Sequence, residues 1–147
     1  MTTQTNQKGF TIIELLIVIV VIGILAAITA IALGGANARA RDAKRESDVK
    51  SLQTALEAYY TIGNSQYPTE ANMNDATFRS ENFQGLDESV FQDPNADDSQ
   101  LASGATANQY SYEATPENCD NTTTVCDGYT LTVTLEEGDD ITRTNLQ

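Results

Sequence analysis

Residues able to do covalent or proton-transfer chemistry are few in this chain, and the notable ones sit in three places. The 147 residues include no histidine, which removes the commonest general base and metal ligand. Serine, threonine and carboxylates are plentiful, yet none lies in a G-x-S-x-G elbow or a glycine-rich phosphate loop. Neither an enzyme nor a cofactor is expected. The first place is Glu14, the lone acid of "KGFTIIELLIVIVVIGILAAI", residues 8–28. A charge at the centre of a bilayer costs about 2.5–3.5 kcal/mol on insertion scales, so this carboxylate needs a role. The second is Cys119 and Cys126, which enclose the six residues "DNTTTV". Two cysteines this close in a polar loop suit a disulfide formed in an oxidising exterior. A pair of free thiols or half a metal site are the alternatives, and without histidine or a third cysteine zinc is disfavoured. The third is "DPNADDS", where Asp93, Asn95 and Asp97 match the first three ligand positions of an EF-hand-like calcium loop. The match then fails, with Asp98 at the glycine position and Gly104 at the final glutamate, so a polar turn is expected. Asn121 also opens a formal glycosylation sequon, "NTT".

The elements that must carry these residues begin with the apolar run. Leu15 to Leu33 is 19 uncharged residues, about 28 Å as a helix, matching a hydrocarbon core of roughly 30 Å. The run is too long for a secretory h-region and no A-x-A site follows it closely. Beyond it, Val49, Leu52, Leu56 and Tyr59 recur at helical spacing, and Gly63-Asn64 reads as a stop. One helix over residues 10–62 is predicted, apolar all round in its first half and amphipathic in its second. Residues 69–104 read as loop with scattered anchors at Phe78, Phe83, Leu86, Val90 and Phe91, with room for short helical turns that the pattern does not place. "QYSYEAT" and "GYTLTVTLEE" alternate apolar with polar residues and predict antiparallel strands, with "ITRT", 141–144, as a short third. The expected fold is α+β, a long N-terminal helix whose amphipathic half packs on a small antiparallel sheet.

Charge is divided unevenly within a net −13. From Ser51 onward two basic residues face seventeen acids, a balance that repels nucleic acid. Arg39, Arg41, Lys44, Arg45 and Lys50 form a basic stretch interleaved with Asp42, Glu46 and Asp48. That stretch could touch nucleic acid or lipid phosphate, but a solvated face, or one lining contacts with the acidic heads of neighbouring subunits, is the expectation. The distribution of Lys and Arg around the apolar run favours a cytoplasmic C-terminus, whereas the cysteine pair favours the exterior. Three acids interleaved with the bases weaken the first signal, so an exterior C-terminal domain is expected.

A polar leader ending in Lys8-Gly9, then Phe10, then Glu14 inside a long apolar helix resembles the class III signal of type IV pilins and type II secretion pseudopilins. The resemblance is specific from Lys8 to about Leu33 and weaker out to Pro68. It implies cleavage by a prepilin peptidase between Gly9 and Phe10, N-methylation of Phe10, and a Glu14 that meets the freed Phe10 amine of a neighbour during assembly. It also implies residues 1–9 as leader, 10–35 as membrane and assembly helix, and 36–147 as a pilin head that includes the amphipathic half of the helix. A disulfide between Cys119 and Cys126 fits the loop such pilins carry near the C-terminus. The implied partners are further copies in a helical filament, the peptidase, an assembly platform and the membrane before assembly. The implied location is the bacterial inner membrane, then an extracellular pilus serving adhesion, motility or DNA uptake. A periplasmic pseudopilus piston is the second reading, and a membrane-anchored binding module that never polymerises is the third. Many members of this family carry proline where this chain has Ile31; Gly23, Thr29 and Gly34-Gly35 are the weak points of the helix here.

Overall fold

A computed structural model describes residues 10–63 and 65–147. The expected leader, residues 1–9 with Gly9, and Asn64 of the helix stop lie outside the described residues. The elements in order are α1 (Ile12–Ile62), α2 (Glu70–Met73), α3 (Ala76–Asn82), a 3₁₀ turn (Glu88–Phe91), β1 (Ser111–Thr115), β2 (Gly128–Val133) and β3 (Ile141–Thr144). The α+β expectation holds. Two compact units are present, Met1–Asn37 and Ala38–Gln147.

In the first unit α1 begins two residues later than predicted, because Thr11 caps it. The Glu14 amide donates to Thr11 Oγ1 at 3.2 Å, and the Thr11 amide donates to Glu14 Oε2 at 2.8 Å. This reciprocal pair is a capping box, which satisfies two amides that a helix start otherwise leaves bare. From Phe10 to Ile31 the large apolar side chains are 48–84% exposed. Nothing within the unit covers them.

The second unit is built on the C-terminal half of α1. Val49, Leu52 and Leu56 are buried against the sheet-side cluster, with Ala55 and Tyr59 partly so. The sheet is antiparallel in the order β1-β2-β3. Register pairs Tyr112 with Leu131 and Leu131 with Arg143. Along β2 the inward positions are Tyr129, Leu131 and Val133, the period of two that the sequence displays. The strand stops at Val133 although the alternation continues to Glu136. The amides of Glu136 and Glu137 instead donate to the Asp42 carboxylate at 3.0 and 2.9 Å, which draws the chain off the ladder and onto α1.

The stretch read as loop contains α2, α3 and the 3₁₀ turn, each opened by a side-chain cap. Thr69 accepts from the Asn72 amide, Asp75 from Phe78 and Asp87 from Ser89. Arg79 of α3 is buried beneath this segment, donating to Met73 O and Ser99 O and paired with Glu88, its guanidinium 4.7 Å from the Phe91 ring centre. Packing this segment needs a cation, which no apolar pattern announces.

Charge then ties α1 to the loops. Arg45 is 1% exposed and fully neutralised: Nε donates to Asp93 Oδ2 at 2.7 Å, Nη2 to Asp93 Oδ1 at 3.0 Å, and Nη1 to Asp42 and Glu136 at 2.7 and 2.8 Å. Arg41 also binds Glu136, Arg39 binds Glu137, and Lys44 binds Asp48. Four of the five cations of this basic stretch are spent inside their own unit, and only Lys50 is left over.

Two predictions follow from this cluster. Replacing Arg45 by Leu leaves Asp93 and Asp42 buried or half-buried without a counter-charge, so chemical denaturation should show a loss of about 3–5 kcal/mol. The Glu136 carboxyl is held near pKa about 2, below its usual 4.5, first by the hydrogen bond from Arg41 and then by that from Arg45. A depressed folded-state value contributes stability that is present above pH 4.5 and fades as pH falls towards 2. The melting temperature of Glu136→Gln should accordingly lie below wild type at pH 7 and converge with it near pH 2.

Candidate assembly site

Glu14 stands in the first turn of α1 with its side chain exposed. Thr11 is a short polar residue just before a run of strong helix formers, and Glu three positions on completes the box. Its Oε2 also accepts from Thr11 Oγ1 at 2.8 Å. Its other oxygen, Oε1, has no hydrogen-bond partner among the described residues. The carboxylate is thus oriented from one side and open on the other, an arrangement able to accept a cation from outside the chain. Phe10 lies just before the cap and is 81% exposed. Deeper in the run the one hydroxyl, Thr29 Oγ1, donates to Leu25 O at 2.8 Å, so no side-chain donor faces outward there. Among the described residues α1 is the one helix long and apolar enough to cross a membrane.

The remaining residues singled out from the sequence lie in the second unit and serve its fold. Cys119 and Cys126 are joined, with their Cα atoms 5.2 Å apart. The loop they close is organised by Asp120, whose Oδ1 accepts the amides of Thr122, Thr123 and Thr124 at 2.9, 2.7 and 3.1 Å. Those amides, Thr124 first, hold its carboxyl far below the usual range. Asn121 docks the loop on the segment after α1. Its Nδ2 donates to Tyr67 O at 2.7 Å and its Oδ1 accepts from the Cys126 amide at 2.8 Å. The sequon asparagine is therefore a structural clamp. Asp93 is likewise committed to Arg45, and its Oδ1 also takes the Asn95 amide at 2.8 Å. The calcium-loop pattern is an Asx turn placing a counter-ion.

Sequence reasoning missed the acids of α1 that receive donors from the rest of the unit. Asp48 accepts from Tyr110 Oη at 2.8 Å, and Glu57 accepts from Tyr129 Oη at 2.9 Å and Tyr67 Oη at 3.1 Å. Burial first, and these carboxylates second, push all three phenols above the usual tyrosine value, so they act as donors. An available signal was the combination of four buried tyrosines with acids flanking the apolar positions of an amphipathic helix.

Residues 4–30 match the family model described as the prokaryotic N-terminal methylation motif. The chain is 41% identical over 66 residues to the type II secretion system core protein G of Klebsiella michiganensis, covering 45% of this chain and 46% of that protein. It is 39% identical over 69 residues to the protein of the same name from Escherichia coli K12, 47% of each chain. It is also 48% identical over 52 residues to a fimbrial protein of Pseudomonas aeruginosa, 35% of this chain and 34% of that one. The chain thus aligns with about half the length, or less, of these relatives. No solved structure matches it. Residues 4–30 thus carry a prokaryotic N-terminal methylation motif, and over part of its length the chain is similar to type II secretion core protein G and to a fimbrial protein, which supports the type IV pilin and pseudopilin family.

Proposed function

We propose that this chain is the precursor of a filament subunit, a structural protein without catalytic activity. The carrying observation is Glu14, held by Thr11 from one side with Oε1 open, at the start of a helix whose apolar side chains are 48–84% exposed. Such a surface must be covered by lipid or by other helices. In this reading the chain sits in the inner membrane first, a prepilin peptidase cuts between Gly9 and Phe10, and an assembly platform moves the subunit into a fibre. Cleavage leaves an α-amine on Phe10, there N-methylated, a cation at the end of an apolar helix. Inside a water-poor bundle that cation needs a counter-charge, and Glu14 of a neighbouring copy supplies it. The pair serves register more than adhesion, because a subunit placed out of step strands two charges.

A surface pilus is the first reading of that fibre, supported by the disulfide-closed loop and the fimbrial relative. The protein G relatives support a second, a secretion pseudopilus. Immunogold electron microscopy of native cells separates the two: labelled fibres on intact cells mean a pilus, and label seen only after the outer membrane is opened means a pseudopilus.

The expected mature protein, recovered from filaments, begins at Phe10 and carries an added methyl group by mass spectrometry; material still beginning at Met1 would overturn the processing step. Glu14→Ala should be cleaved normally yet enter filaments more than about a hundredfold less well, since stranding one member of a buried pair costs about 3–5 kcal/mol. Wild-type filament yield from this variant, measured by shearing and sedimentation, would sink the proposed role of Glu14.

A further inference from the structure

Seven cations lie among the described residues, and five are committed. Arg39, Arg41, Lys44, Arg45 and Arg79 each have an ion-pair partner within the second unit. Lys50 and Arg143 have none among the described residues, and both are exposed. They lie close together. Arg143 is in β3, an edge of the sheet, and pairs in register with inward-facing Leu131. The next residue, Thr144, accepts a hydrogen bond through its carbonyl from Gln53 Nε2 of α1 at 2.8 Å. Lys50 lies one helical turn before Gln53, on the same flank of α1. The two unspent cations therefore mark one stretch of surface between α1 and the β3 edge.

The opposite edge of the sheet has the opposite character. β1 borders an open cleft of about 920 Å³ whose lining includes Glu70, Glu113, Glu117 and Asp120 and no lysine or arginine. Asp120 is spent on its own loop. Glu70, Glu113 and Glu117 are exposed, with carboxylates that accept no hydrogen bond and meet no cation among the described residues. This unit is strongly acidic, so two copies repel on close approach unless a cationic face is presented, and among the described residues the Lys50–Arg143 flank carries the cations without an ion-pair partner.

We propose that the Lys50–Arg143 flank of one copy docks against the Glu70–Glu113–Glu117 cleft of the next. This deepens the filament reading and rests on it, naming the head surfaces that meet. The two patches lie on opposite edges of one sheet, so each copy can use one patch for the copy before it and the other for the copy after it. The contact is heterologous, the kind that propagates into an open polymer. Like charges brought together across it would repel, which excludes other arrangements of the heads.

The test uses the full chain in its filament-forming cell, in three versions. Lys50→Glu with Arg143→Glu should reduce sheared filament at least about tenfold, because like-charge juxtaposition across an interface costs that much or more. Glu113→Lys with Glu117→Lys should do the same. The chain carrying all four changes has the complementarity restored with its sign inverted, and should recover filament. Melting of each full chain in detergent micelles guards against misfolding, and all should melt with the wild type, since the four side chains are exposed and have no hydrogen-bond or ion-pair partner among the described residues. Wild-type yield from either double variant, or additive loss in the quadruple variant, overturns the docking and leaves the filament reading standing. Absence of filaments from the unmodified chain overturns both.

Discussion

Arg45 is a full positive charge at 1% exposure, and the loops of the second unit are arranged around neutralising it. Asp93 closes on it with both oxygens, while Asp42 and Glu136 share Nη1. A buried cation is costly unless its partners are placed well, and losing one of them is more costly still. Much else follows from that constraint. Asp93 must sit at a fixed place, so the 3₁₀ turn Glu88–Phe91 and the Asx turn at Asn95 hold the chain that delivers it. Glu136 must reach back to α1, so β2 ends at Val133 and the next amides fall on Asp42.

The same design recurs along α1 with neutral donors. Asp48 and Glu57 receive tyrosine hydroxyls from Tyr110, Tyr67 and Tyr129, whose rings belong to the core while their polar ends touch the helix. Glu57 also accepts the Leu146 amide at 3.2 Å, fastening the C-terminal tail. Each of these rings buries a large apolar area and spends its one polar atom on a charged acceptor, the stronger class of hydrogen bond. The helix thus contributes both an apolar stripe, Val49-Leu52-Leu56, and a set of acids beside it that choose which donors may approach.

Periodicity made the regular elements legible. The second half of α1 and strands β1 and β2 were readable because apolar residues recur at 3.6 or 2.0, while the first half of α1 stood out as an unbroken apolar run and β3 rested on four residues without alternation. The amphipathic face of α1, the start of β2 and the cysteine loop follow from local pattern alone. Glu14 was legible as a residue with a role, since an acid in an apolar run stands out. The rest was hidden because it depends on pairs far apart in sequence. Arg45 looked like one member of a solvated basic stretch until Asp93, 48 residues away, and Glu136, 91 away, were brought to it. Asp93 read as part of a polar turn, which it is, but nothing local showed that the turn places its carboxylate on a guanidinium. α2 and α3 are too short for periodicity to register, and only their caps, Thr69 and Asp75, carried a signal.

The two units meet water under opposite rules, and this bears on how a polymer of such chains would be specified. The first exposes a run of apolar side chains with its side-chain donors satisfied internally. Burying that run against like helices yields about 25 cal/mol per Å², without direction and nearly without regard to register. The second has paired five of the seven described cations and carries a large excess of negative charge. Repulsion among such heads acts over roughly 10 Å at 0.1 M salt, comparable to the spacing of packed elements. A non-specific attraction between helices set against a signed repulsion between heads leaves few tolerable arrangements. In such a polymer affinity would come from the helices, while geometry would come from two charged places left open: the free oxygen of Glu14 in the first unit, and the exposed cationic flank of α1 and β3 in the second.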